Sequence, residues 1–378
     1  MPLQLVPYAT WVEVDLDAIR MNVKNVLALK NSRVMAVVKA DGYGHGAIAV
    51  AKAALQAGAS WLGVARFEEA MELRTAGIQA PILLLGYLPP QKIALTIQYN
   101  ISMTVWREDQ VQTIATVADH LQSTAKLHLK IDSGMSRIGA QPEEVLPVCE
   151  SIASHPNLLL EGVFTHFARA DEEDPQPTFL QLEVFQQSLT IIEKFRTEKT
   201  LIHTSNSAAA ISPHFPAFDM VRLGIAMYGL HPSPATPLSE NFKPALSWKT
   251  VLSHVKTLPV GRGVSYGHIY TTTRKERIGT LPVGYADGFR RWKNNQALIH
   301  GIKVPVVGRV CMDQCMVQLD PVPDARAGDE VVLIGYQESE HLSAEEVASA
   351  WGTINYEVVC GIGKRVPRIY LNQITGED

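Results

Sequence analysis

Long apolar runs are missing from this 378-residue chain. No stretch of 18 or more residues is continuously apolar, which excludes a membrane-spanning helix as its organising element. Charge of one sign is also missing. The 34 Lys and Arg stand against 38 Asp and Glu, a net of −4, which excludes the basic footprint of a nucleic-acid binder. Cysteine is scarce: Cys149, Cys311, Cys315 and Cys360 have neither zinc-site spacing nor the density of a disulfide framework. No internal repeat or low-complexity tract occurs. The opening residues, MPLQLVPYATWVEVD, have no basic n-region and carry an early acid, so the expectation is a chain without a signal peptide, resident in the reduced cytoplasm. What is present is ordinary for a globular enzyme: 46% hydrophobic and 19% charged residues, over a length that suits two domains.

The order of the patterns gives the architecture. Thr10 to Val14 reads as a short strand, and Ile19, Val23, Val26 and Leu27 recur at helical spacing after it. Short apolar runs then appear at 34–38, 61–65, 82–86, 101–105, 127–131, 160–165, 201–204 and 220–227. Amphipathic helix patterns near 66–76, 108–122, 143–154 and 178–196 fall between them. Eight runs alternating with helices predict a parallel sheet closed into a (β/α)₈ barrel, with an open doubly wound sheet as the alternative. After Leu230 the texture changes. HPSPATPLSE reads as a linker, and the runs beyond it are β-branched and separated by turns: Trp248–Val255, Gly279–Leu281, Lys303–Val310, Met316–Leu319 and Glu330–Ile334. One clear helix pattern remains, Ser343 to Trp351, with Ser343 and Glu346 spaced as a capping box. The expected domains are a barrel over 1–235, its first strand a candidate member of the second domain, and a mostly β domain over 236–378.

The most informative stretch is Val34-Met-Ala-Val-Val-Lys39-Ala-Asp-Gly-Tyr43-Gly-His-Gly46. An apolar run buried on both faces ends in a lysine and drops at once into a glycine-rich turn. A lysine there is costly unless it snorkels outward or is used, and a desolvated lysine amine is a nucleophile that forms Schiff bases with aldehydes. Other polar residues also close apolar runs: Lys130 and Arg137 in LHLKIDSGMSRIG, His166 in GVFTHFA, Asn206 and Ser207 in HTSNSAA, and Arg222, Gly224 and Ile225 in DMVRLGIAMYG. In a barrel, strand ends form one rim, so these groups are expected to converge.

AVVKADGYGHGA resembles the cofactor-lysine motif of the alanine racemase family, which uses pyridoxal 5′-phosphate, and the barrel-then-β organisation resembles the bacterial members over the whole chain. The resemblance implies a racemase of alanine, supplying D-alanine for peptidoglycan, with broader amino-acid racemisation and non-catalytic cofactor binding as alternatives. It implies Lys39 and Tyr266 (in GVSYG) as the two catalytic groups. It implies cofactor contacts from Tyr43, His166, Ser207, Arg222, Gly224, Ile225 and Tyr356. Arg137, Met312, Tyr285 and Asp313 are implied on the substrate side. In many members the lysine at the position of Lys130 is carbamylated; plain pairing with Asp132 is the other reading. A homodimer with shared active sites is implied as well, and no metal is called for.

Overall fold

The computed structural model describes residues 7–373, which fall into two compact units, one from Ala18 to Lys243 and the other made of the residues up to Asp17 with those from Pro244 on. The strands are numbered along the chain. β1 is Thr10–Asp15; the first unit holds β2 (Arg33–Val37), β3 (Trp61–Val64), β4 (Ile82–Leu84), β5 (Ile101–Val105), β6 (Ala125–Lys130), β7 (Leu158–Phe164), β8 (Leu201–His203) and β9 (Met220–Leu223). All eight neighbours run parallel, in the order β8-β7-β6-β5-β4-β3-β2-β9. The Asp219 N–H to Ile202 O and Arg222 N–H to Ser205 O bonds, both 3.0 Å, link β8 to β9 and bring the ends of the sheet together. The expected eight-stranded barrel is therefore what the runs form.

The alternating sides of the strands bury two different layers. Leu127, Leu129 and Ile131 face outward and pack with Val111, Ile114, Val145, Val148 and Phe185 of the surrounding helices. Met35, Trp61, Leu83, Phe164, Leu201 and Met220 form the apolar filling of the interior. The helices Phe67–Thr75, Glu108–Leu121, Val145–Ala153 and Gln176–Ile192 lie within a few residues of their predicted ranges. The run at 220–227 is divided: β9 stops at Leu223, and a 3₁₀ turn occupies Ile225–Tyr228.

The second unit is a sheet of strands in the order β11-β14-β17-β16-β15-β18-β10-β1-β20, with β19 on β18. Here β10 is Leu246–Val251, β11 His254–Leu258, β12 Gly263–Val264, β13 Tyr270–Thr271, β14 Glu276–Leu281, β15 Gln296–Ile299, β16 Ile302–Val307, β17 Cys315–Gln318, β18 Glu330–Gln337, β19 Glu340–Leu342 and β20 Arg368–Leu371. The expected single strand over Trp248–Val255 is two strands, because the chain turns at Leu252 and Ser253. The capping box is present: Ser343 Oγ accepts from the Glu346 N–H at 3.1 Å and Glu346 Oε2 accepts from the Ser343 N–H at 2.9 Å. A helix not expected from the sequence, Asn355–Cys360, follows it.

Candidate active site

At the C-terminal end of β2 the chain does something rare. Ala40, Asp41, Gly42 and Tyr43 all have positive φ, between 52° and 59°, so the backbone makes a left-handed turn with glycine at only one of the four positions. The surroundings hold it in place. Glu69 Oε1 accepts from the Ala40 N–H at 2.7 Å, while its Oε2 accepts from the Ala65 and Arg66 N–H groups at 2.7 and 3.0 Å. Asp41 Oδ1 accepts from the Ala47 N–H at 2.9 Å, at the start of helix Ala47–Gln56. One carboxylate thus ties the ends of β2 and β3 together and fixes the backbone that carries Lys39. The ammonium of Lys39 lies 6.0 Å from the Tyr43 ring centroid.

Tyr43, Ser207 and Gly224 converge on one spot. Ser207 Oγ accepts from the Gly224 and Ala226 N–H groups at 2.9 and 3.3 Å. A Cβ added to Gly224 would sit 2.8 Å from the Tyr43 hydroxyl oxygen and 3.7 Å from Ser207 Oγ. Only a residue without a side chain leaves this hydroxyl-lined recess open. Ile225 is buried at the head of the adjoining 3₁₀ turn, and Asn206 caps the helix Ser207–Ile211 through the Ala209 N–H at 3.0 Å.

Beside the recess, positive charge accumulates. Arg222 is buried, and its two terminal nitrogens donate to His203 O, Thr165 O and Thr204 O at 3.0, 2.7 and 2.7 Å and face the Nδ1 atoms of His203 and His166 at 2.9 and 3.2 Å. Among the described residues no hydrogen bond is made by its Nε. Burial pushes the guanidinium pKa down, but an arginine remains charged at neutral pH. Lys130 is buried without a hydrogen bond or ion pair among the described residues, 5.5 Å from the Phe164 ring. Burial pushes its pKa down to about 7; Arg222, Arg137 and Lys39 push the same way and Asp132 opposes them. The expected alternative of a Lys130–Asp132 pair is not formed: Asp132 Oδ1 instead accepts from the Gly134 and Ser136 N–H groups at 3.1 and 2.9 Å and shapes the loop that carries the exposed Arg137. His166 is driven well below its ordinary pKa by burial and then by Arg222, Lys130, Arg137 and Lys39, so its ring is neutral.

The remaining candidates lie in the second unit. Tyr266 is 71% exposed, in a loop whose Ser265 has φ 64° and donates from Oγ to Arg309 O at 2.6 Å. Lys256, Arg262, Ser265, Tyr266, His268 and Cys311 line a cleft of about 680 Å³. Tyr285 and Met312 share one ridge, since the Tyr285 and Ala286 N–H groups donate to the carbonyls of Cys311 and Met312 at 3.1 and 3.0 Å. Asp313 is engaged by Arg365 at 2.7 Å, and Arg365 also binds the buried Asp287 at 2.6 Å, which pins the two loops together. Tyr356 is half-buried on helix Asn355–Cys360. Cys315 is buried, which pushes its thiol pKa up and makes it a poor nucleophile.

Sequence reasoning missed Glu69, His128, Glu161 and His203. For His128 a signal existed: it and Lys130 are two residues apart in one apolar run and therefore point to the same side of β6.

The alanine racemase N-terminal domain matches residues 14–232, and the alanine racemase C-terminal domain matches residues 245–370. The chain belongs to the alanine racemase family. It is 46% identical to the alanine racemase of Halothermothrix orenii over 372 residues, covering 97% of this chain and 98% of that one. It is 48% identical to that of Halalkalibacterium halodurans over 371 residues, covering 96% and 95%. Among solved structures, the alanine racemase of Bacillus anthracis with bound L-Ala-P superposes with a TM-score of 0.92, at 43% identity over 97% of this chain and 96% of that one. The family consists of isomerases that depend on pyridoxal 5′-phosphate. The residues present fit that cofactor. The recess at Gly224 would fill on addition of a single Cβ, four cationic side chains act on the site, and the Nε of Arg222 makes no hydrogen bond among the described residues. A phosphate suits the first, the anionic oxygens of cofactor and substrate the second, and a ring-nitrogen acceptor the third.

Proposed function

We propose that this racemase-family chain interconverts L- and D-alanine by a two-base route, as a cytoplasmic homodimer whose product serves peptidoglycan synthesis. The observation that carries the reading is Arg222. Most enzymes with this cofactor set an acid against the ring nitrogen; the buried Arg222 would instead offer that nitrogen a donor with no proton to give up, which would disfavour reactions beyond α-proton exchange. Pyridoxal phosphate, when bound, supplies an aldehyde for a lysine amine and an electron-withdrawing ring that makes the substrate α-hydrogen acidic.

The chain's own residues do the rest. Tyr43, Ser207, Gly224 and Ile225 hold the phosphate, and His166 and Arg222 hold the ring. Lys39 takes or returns the α-proton on one face. Tyr266 of the partner subunit does so on the other, because a single base cannot reach both sides of a planar carbon held in place. Arg137 orients the substrate carboxylate together with the backbone N–H of the partner subunit's Met312. The family resemblance assigns Tyr285 and Asp313 to the substrate side and Tyr356 to the cofactor; Asp313 is held by Arg365 at 2.7 Å. Lys130, with its amine pKa near neutrality and no ion pair among the described residues, adds as the neutral amine to carbon dioxide, releases one proton to solvent and becomes a carbamate whose negative charge orients Arg137.

The test is exchange in D₂O. Purified holoenzyme given L-alanine or D-alanine should produce the other enantiomer with deuterium at the α-carbon. Cofactor binding without deuterium uptake from either enantiomer would overturn the reading.

A further inference from the structure

The interior of the barrel is not filled by apolar side chains alone. A line of polar groups runs through it from Arg222 to a carboxylate. His203 and His128 are fully buried; Arg222 Nη1 lies 2.9 Å from His203 Nδ1, and His203 Nε2 lies 3.0 Å from His128 Nδ1. His128 Nε2 faces Glu161 Oε2 at 3.3 Å, an ion-pair distance at which the angle makes no hydrogen bond, so the line closes on an electrostatic contact. Glu161 also accepts from the Ser102 hydroxyl and lies 3.7 Å from Lys126 Nζ. The sequence makes room for the line. A Cβ on Gly162 would fall 2.3 Å from His128 Nδ1, so only glycine seats that ring, and the pairing of β6 with β7 slips between Leu127 and His128, leaving Glu161 as the extra residue. Phe164 stacks on His203 at 4.7 Å and Trp61 meets His128 edge-on at 5.4 Å, which fixes both planes.

The hydrogen positions follow from the two ends. Arginine only donates, so His203 Nδ1 accepts and its hydrogen sits on Nε2. His128 Nδ1 must then accept, its hydrogen sits on Nε2, and that hydrogen meets a carboxylate, which only accepts. Reversing His203 would place N–H against N–H at Arg222, and reversing His128 alone would do so at His203 Nε2. Both imidazoles are pushed below their ordinary pKa, by burial first, so both are neutral. Burial works to raise the pKa of Glu161, but the His128 and Ser102 contacts and the Lys126 charge together bring it below its ordinary value, so the carboxylate is ionised.

We propose that Glu161 is a positioning residue for the reaction, acting through His128 and His203 to hold Arg222 in one orientation and to balance its charge from inside the barrel. The proposal rests on Arg222 facing the cofactor ring. Apolar residues would fill the same space without the cost of burying a carboxylate and a guanidinium, and a line that ends on a site arginine gives those groups a use.

The groups facing this line are Lys126, His128 and Lys130 from β6, Glu161 from β7, His166 just beyond it, His203 from β8 and Arg222 from β9. The test uses holoenzyme carrying Glu161→Gln, with Glu161→Asp as the conservative variant. Cofactor occupancy and KM should change little. kcat should fall roughly tenfold in both directions, the loss typical when a supporting partner is removed. The pH midpoint of the holoenzyme absorbance should move to lower pH, because losing a buried anion disfavours protonation of every group facing it. Glu161→Asp should recover part of both changes. A Glu161→Gln holoenzyme with wild-type kcat and wild-type absorbance titration would overturn the proposal. Should that variant not fold, Ser102→Ala, which removes only the hydroxyl donor at Glu161, is read by the same titration with the same two outcomes. If the wild-type protein binds cofactor without racemising alanine, the proposed activity falls, and the absorbance titration still decides the role of Glu161.

Discussion

Replacing Lys130 by methionine keeps the stem of the side chain and removes its charge. The folded protein holds this amine at a pKa of about 7, against 10.5 for a free lysine. The folded-state value is the lower one, so the unfolded chain binds the extra proton between these limits and stability rises with pH there. Below about pH 7 the folded state carries the whole penalty, roughly 4–5 kcal/mol as an upper bound, and it is relieved by about 1.4 kcal/mol per pH unit above that. Between pH 7 and 9 the wild-type apoprotein should therefore gain up to about 2 kcal/mol relative to Lys130→Met, or roughly 4–8 °C in Tm. The assay is a pair of thermal melts across pH 6–9 in buffers stripped of carbon dioxide. A second pair with bicarbonate at pH 8 should raise the wild-type Tm and leave Lys130→Met unmoved, since only the wild type can form a carbamate among the cations. Parallel Tm–pH curves for the two proteins would refute the desolvated-amine argument. Equal responses to bicarbonate would refute the carbamate.

Lys39→Ala should lose covalently trapped cofactor after borohydride reduction; retention of the label on that variant would place the reacting amine elsewhere. Mixing inactive Lys39→Ala and Tyr266→Ala chains should restore about a quarter of wild-type activity, because random pairing makes half the dimers mixed and each of those has one intact shared site. No recovery, with mixed dimers shown by mass, would assign each site to a single chain. Gly224→Ala should weaken cofactor binding about tenfold or more, because its Cβ would sit 2.8 Å from the Tyr43 hydroxyl; an unchanged affinity by fluorescence titration would remove the recess from the phosphate site.

The barrel was legible because each of its strands is a run of apolar residues bounded by breakers. Its rim was legible because Lys39, His166 and Arg222 interrupt or close such runs. Less could be read inside. A strand buried on both faces shows no alternation, so nothing marked His203 as pointing inward or Glu161 as the extra residue of a slipped register. Glu69 escaped notice for a different reason. It lies in the first turn of a helix, where an acid is expected in any case, and its task of binding three backbone N–H groups is set by the tertiary fold. The break at Leu252 and Ser253 was hidden because β-branched residues continue through Val255 without glycine or proline.

The left-handed turn after Lys39 reverses a common rule of mutational tolerance. Solvent-exposed positions usually accept most substitutions within about 0.5 kcal/mol. Ala40 is exposed, yet its φ of 54° leaves no comfortable conformation for valine, isoleucine or threonine, whose branched Cβ collides with the backbone in that region. A map of permitted residues along this chain would therefore show a surface alanine as restricted as a core position. What restricts it is the hand of the backbone, since the residue is exposed.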